Sequence, residues 1–185
     1  EASLATAAGV PLPCRALLRS QSTPPQGLRA EVIDVGRGTP EDFVAAGDRV
    51  RGRIVLARHE YPFSPTHVHR RRKYEAAMAA GAAGFVIANR EPGVLSGSSG
   101  RAPGAAGIPA AYTDATGLAH LERARDPVTL VIRGDEQPGT ASIVIADFPG
   151  AGPEWVVLSA HLDGHDLGES ALDNASGLAA ALAIA

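Results

Sequence analysis

An α/β fold of the α+β kind is predicted by three observations. Short apolar or β-branched runs alternate with Ala-rich helical runs between residues 28 and 134. Gly and Pro punctuate nearly every junction between them. After the polar stretch "DEQPGTA", two more strand-like runs and an Ala/Leu-rich helix follow. The expected architecture is a β-rich domain with flanking helices, then the first hairpin and helix of a second α/β domain. The expected boundaries are an N-terminal segment over 1–27, a domain over 28–134, a linker over 135–140 and the start of the second domain over 141–185.

Each element has its own signal. Residues 1–27 hold an Ala-rich "SLATAAG", a strand-like "PLPCRALL" that runs to Leu18, and the loop "SQSTPPQG". "LRAEVIDVG" is a single strand over 28–36 by its β-branched content. Thr39 followed by Pro40 reads as an N-cap and first helical position, so a helical turn starts there. "RVRGRIVLARH" alternates and then turns apolar, which makes 53–57 a buried strand. A helix is expected over 69–80, with Gly81 ending it in the left-handed position. "GFVIAN" is the next strand, and the small residues 81–84 before it allow close helix–sheet packing.

"EPGVLSGSSGRAPGAAG" is a long loop, read as mobile surface. "IPAAYTD" is a strand, Asp114 caps the helix "ATGLAHLERAR", and "PVTLVIRG" closes the domain. Beyond the linker, "SIVIADFPG" and "EWVVLSAHLD" are expected to form a hairpin around "AGP". "LDNASGLAAALAIA" then begins a helix with no Gly, Asn, Lys or Arg to end it, so Ala185 is expected to fall inside a helix rather than at a domain edge.

Composition narrows the function. Aromatic residues make up only 4%, so the core must come from Ala, Val, Leu and Ile. The net charge of −3 argues against general nucleic-acid binding. No run approaches the ~20 apolar residues needed to span a bilayer. No signal peptide is visible, so the compartment stays open between secreted and cytoplasmic. The single Cys14 excludes an internal disulfide framework and a Cys-rich zinc site, and is read as a small buried apolar residue.

"THVHRRRKY" is the strongest charge cluster and is read as a solvated helix entrance. His67 and His69 have no carboxylate in matching register, which makes them poor metal ligands. "GVLSGSSGRAPG" lacks the Lys-Ser/Thr ending of a phosphate loop.

The chemistry is concentrated in "AHLDGHDLGESALDNASG". His161 and Asp163 follow the apolar run 155–160, at the carboxyl end of the expected strand, where open α/β sheets place their sites. Alternation puts both on one side of the strand. An imidazole there can ligate a metal while a nearby carboxylate orients it. Asp173 precedes a helix that Asn174 or Ser176 could cap, and its two oxygens can bridge two cations. Gly177 leaves room for backbone approach at the helix start. Each piece alone also has an ordinary structural reading as a hydrogen-bonded pair or a helix cap.

The whole string "VVLSAHLDGHDLGESALDNASGLAAALAIA" resembles the two-zinc metallopeptidases that include bacterial leucyl aminopeptidases and relatives of glutamate carboxypeptidase and transferrin receptor. The resemblance implies that His161 binds one zinc, that Asp173 bridges two, and that Asp163 is the catalytic-site carboxylate orienting His161. It implies a Glu-Glu pair, an Asp and a second His later in the chain, none of which can be matched before Ala185. His165 and Asp166 are read as loop residues.

"EVIDVGRGTPEDF", "VRGRIVLARH", "KYEAAMAAGAAGFVIAN" and "GIPAAYTD" resemble the protease-associated domain, which in this family is a noncatalytic lid or interaction module. The expectation is a fragment of a zinc-dependent exopeptidase, an aminopeptidase acting on peptide substrates, with the isolated chain inactive. Nucleic acid and a membrane span are not expected. The apolar helix over 178–184 is a candidate for self-association. The alternative is a noncatalytic interaction module with a vestigial peptidase part, and residues after Ala185 would discriminate the two.

Overall fold

The computed structural model describes residues 1–62, 64–164 and 168–184. They fall into two compact units, Glu1–Glu136 and Gln137–Ala185.

The first unit contains strands β1 (Ala2–Ala5), β2 (Pro11–Leu12), β3 (Arg15–Ala16), β4 (Leu28–Ala30), β5 (Val32–Asp34), β6 (Ile54–Arg58), β7 (Gly84–Ala88), β8 (Ala110–Thr113) and β9 (Val128–Ile132). Its helices are α1 (Pro40–Ala46), α2 (Arg70–Ala79) and α3 (Ala115–Leu121). One sheet runs β2-β1-β9-β4, all antiparallel. The other runs β3-β8-β7-β6-β5, parallel except for β3.

Burial explains the strand sequences. Every residue of β6 and β7 is buried, as expected for parallel strands covered on both faces. Val55 and Ala57 join the core with Val50, Tyr74, Ala77 and Phe85, against α1 and α2. Ile54 and Leu56 face the opposite way, into a core with Leu4, Val86, Leu121, Val128 and Leu130. Strand β9 alternates buried and half-buried residues, the pattern of an antiparallel strand with one covered face.

The helix starts are built by their caps. Thr39 and Asp42 form a capping box, with Pro40 at the first helical position of α1. Asp114 accepts from the amides of Thr116 and Gly117 to open α3. Gly81 takes a left-handed φ of +77° just after α2.

Several expectations are corrected. The stretch 28–36 is not one strand: Ala30 pairs with Val128 in the first sheet, and Val32 pairs with Ile54 in the second. Leu28, Ala30 and Val32 all pack on the same core, so the two-residue period continues while the chain changes sheets at Glu31. Gly84 is needed for strand packing rather than for a helix contact. A Cβ there would lie 2.8 Å from Leu28 Cδ2 and 3.2 Å from Ile54 Cγ1. Residues 1–27 supply β1, β2 and β3, so both sheets draw on them.

The Gly/Ser loop is pinned rather than loose. Ser99 is fully buried, and Leu18 bridges Ser98 in parallel. Arg70 Nε donates to the Ser98 carbonyl at 2.6 Å, and side chains at Gly97 and Gly100 would collide with Arg70 and Arg71. Arg101 donates to the Arg19 carbonyl and pairs with Glu136.

In the second unit, the expected hairpin is absent: no strand forms among the described residues of 142–164. Ile143 is 85% exposed and Val156 86%. An isolated two-stranded hairpin has no covered face and is marginal in water, so β propensity alone does not form it. A π-type turn (Ala171–Ser176) leads into α4 (Gly177–Ile184). No helix among the described residues is long and apolar enough to cross a membrane.

Candidate metal centre

The second unit carries the ligand-type residues. His161 and Asp163 follow the extended apolar run, and Asp173 lies within the π-type turn ahead of α4. Asp173 and Asn174 have non-helical backbones (φ −117°, ψ 86° and φ −136°, ψ 30°), and the peptide between them is cis. By its backbone angles Asp173 lies outside the regular helix.

These three side chains come together. His161 Nδ1 lies 3.0 Å from Asp163 Oδ1 and 3.0 Å from the Asp163 carbonyl. On the other side of the ring, Nε2 lies 2.8 Å from Asp173 Oδ1. The Asp163 carbonyl holds the imidazole above its ordinary pKa, and the carboxylates of Asp163 and Asp173 add to that. With an oxygen acceptor beside each ring nitrogen, the protonated ring can donate on both sides.

The donor set suits a cation that takes nitrogen and oxygen ligands. Zinc binds imidazole and carboxylate at about 2.0–2.2 Å. Two such ligands on one ion lie slightly farther apart than the Nε2 to Oδ1 distance of 2.8 Å, so an ion fits with a small opening of the pair. Asp163 on Nδ1 leaves Nε2 as the metal-facing nitrogen, an arrangement that fixes tautomer and ring orientation. Among the described residues, no three His, Cys, Asp or Glu side chains form a metal-holding group. His165 and Asp166 lie outside the described residues.

The turn is closed by contacts the sequence reading did not assign. Asn174 Nδ2 donates to the His161 carbonyl at 3.4 Å. A side chain at Gly164 would collide with Ser170, and one at Gly177 with the Asn174 carboxamide. The sequence signals were Asn174 as a candidate helix cap and Gly177 as a place of close approach at the helix start.

Other titratable groups in the first unit are committed elsewhere. Lys73 is fully buried and donates to Glu60 at 2.6 Å and to the Arg58 carbonyl at 2.7 Å. Arg70 donates to Tyr112 Oη at 2.8 Å and lies over its ring. The basic run is thus partly internal, and within it Thr66, His69, Arg71 and Arg72 are exposed. His69 caps α2, its Nδ1 accepting from the Arg71 amide at 3.2 Å. His59 is half-buried against Tyr112, and burial pulls its pKa down, with Arg70 and Lys73 adding to the effect. Burial pushes the Cys14 thiol up to about 12, so it is protonated at neutral pH and a poor nucleophile.

Comparison with known proteins places both units. Residues 21–121 match the PA domain, and residues 143–185 match peptidase family M28. Among solved structures, the chain is similar to BSAP, a zinc aminopeptidase from Bacillus subtilis, with 25% identity and a TM-score of 0.59. It is also similar to an aminopeptidase from Aneurinibacillus sp. strain AM-1, with 25% identity and a TM-score of 0.55. Each match covers 71% of this chain and 29% of the other, so the chain spans under a third of the length of these relatives. No protein of curated function matches it in sequence.

Proposed function

The chain belongs to the PA domain family and runs on into a segment of peptidase family M28, and on that premise we propose that it is part of a zinc-dependent exopeptidase. The activity proposed is removal of N-terminal residues from peptides, as an aminopeptidase. The PA domain would act as a lid or interaction module.

One observation carries the proposal: the two nitrogens of His161 face opposite carboxylates, Asp163 on Nδ1 and Asp173 on Nε2. In the proposed centre, His161 would ligate zinc through Nε2. Asp163 would hold the Nδ1 proton and keep the ring aimed. Asp173, with two carboxylate oxygens, would serve one ion or bridge two. Zinc supplies Lewis-acid activation of a carbonyl and lowers the pKa of water. The similarity to a zinc aminopeptidase supports zinc over other cations. A noncatalytic module with a vestigial peptidase part is not favoured by the match to peptidase family M28.

The test uses a protein carrying this chain, with aminoacyl p-nitroanilides as substrates and zinc content measured in parallel. Chelation should abolish hydrolysis and added zinc should restore it. Chelator-resistant hydrolysis, or wild-type activity in both His161→Ala and Asp173→Ala, would overturn the proposal.

A further inference from the structure

We infer that Asn174 is a positioning residue that ties the His161 segment to the Asp173 turn, with Gly177 as the seat of its carboxamide. The inference rests on the zinc reading above and assigns a role to residues outside the donor set.

Two independent contacts carry it. Asn174 Nδ2 donates to the His161 carbonyl at 3.4 Å. The rest of the carboxamide lies over Gly177, where a Cβ would meet Oδ1 in collision, Cγ at 2.9 Å and Nδ2 at 3.1 Å. Gly177 has helical angles (φ −64°, ψ −40°), which any L-residue adopts. Alanine would favour the helix more than glycine does. The absence of a side chain there is therefore explained by the contact with Asn174, not by backbone conformation.

The linkage explains how Asn174 acts on the donors. Asp173 is its immediate neighbour, so anchoring the Asn174 side chain on the His161 backbone sets where the Asp173 carboxylate sits relative to the imidazole. Both donors are attached to the two ends of one contact. Gly164 serves the same closure from the other side, since a side chain there would collide with Ser170.

The test is a double-mutant cycle on the full chain with Asn174→Ala and Gly177→Ala. Two readouts are used: zinc affinity by competition with a chromogenic chelator, and the His161 ring nitrogen shifts by NMR in the metal-free protein. Asn174→Ala should weaken zinc about 10-fold or more, the range seen when a group supporting a ligand is lost. Gly177→Ala should weaken it similarly by displacing the carboxamide, and should have no further effect once Asn174 is Ala. The ring shifts should follow the same non-additive pattern without metal.

An equal effect of Gly177→Ala in both backgrounds would show a helix effect only and overturn the inference. So would unchanged zinc affinity and ring shifts in Asn174→Ala. If the wild-type chain binds no zinc, the metal reading fails, and the metal-free shifts alone decide the role of Asn174.

Discussion

At the scale of single residues, the imidazole of His161 is held between two acidic groups that have different proposed tasks. Asp173 would be a direct donor, and Asp163 would only aim the ring. His161→Ala and Asp173→Ala are therefore expected to remove zinc from the parent protein. Asp163→Asn should retain zinc and lower affinity or kcat/KM by about 10–100-fold. Metal content and kinetics of the three variants check this order. In the first unit, Glu60 is one of the residues that answer to pH. Burial opposes its ionisation, but hydrogen bonds from Lys73, Arg37 and the Val68 amide prevail and hold it down at about 2. Its ordinary value is 4.5, so its stabilising effect is complete above that pH and is lost as the pH falls toward 2. Urea unfolding between pH 7 and pH 2 should show that loss. Glu60→Gln should reduce that loss and cost about 3 kcal/mol at neutral pH, because Lys73 is left buried without its carboxylate.

At the scale of elements, the caps and close approaches set the stability of the first unit. Thr39→Ala removes half of the capping box of α1 and should cost about 1 kcal/mol in chemical unfolding. Gly84→Ala should cost about 1–3 kcal/mol by forcing strand β7 against Leu28 and Ile54. The caps were legible in the sequence because cap and helix lie within four residues of each other. The contact partner of Gly84 was not, because Leu28 lies on another strand of another sheet. The same holds for the loop after β7. Its glycines read as freedom, yet Gly97 and Gly100 serve to admit Arg70 and Arg71. The expected hairpin over 142–164 fails for the complementary reason, since β-branched residues specify a strand only where a neighbour accepts its hydrogen bonds.

At the scale of the whole molecule, the two units differ in how well they bury their apolar residues. Limited proteolysis is expected to cut within the extended stretch after Glu136 and to leave a resistant Glu1–Glu136 core; uniform degradation would count against that. Leu182 and Ile184 on α4 are 71% and 69% exposed, so concentration-dependent self-association through α4 is expected and should weaken in Leu182→Glu, as read by sedimentation. The chain by itself should be catalytically silent, because its described ligands supply two donors where catalytic zinc takes three from protein. The sequence by itself determined most of the order of strands and helices over 28–134 and the caps that open α1 and α3, because those signals act over a few residues. Only the tertiary structure decided that residues 1–27 belong to both sheets, that the chain changes sheets at Glu31, and that Lys73 is internal. Each of those depends on a partner distant in sequence, such as β1 pairing with β9 from Ala2 to Ile132, and local propensity carries no record of which distant segment will complete a sheet or neutralise a buried charge.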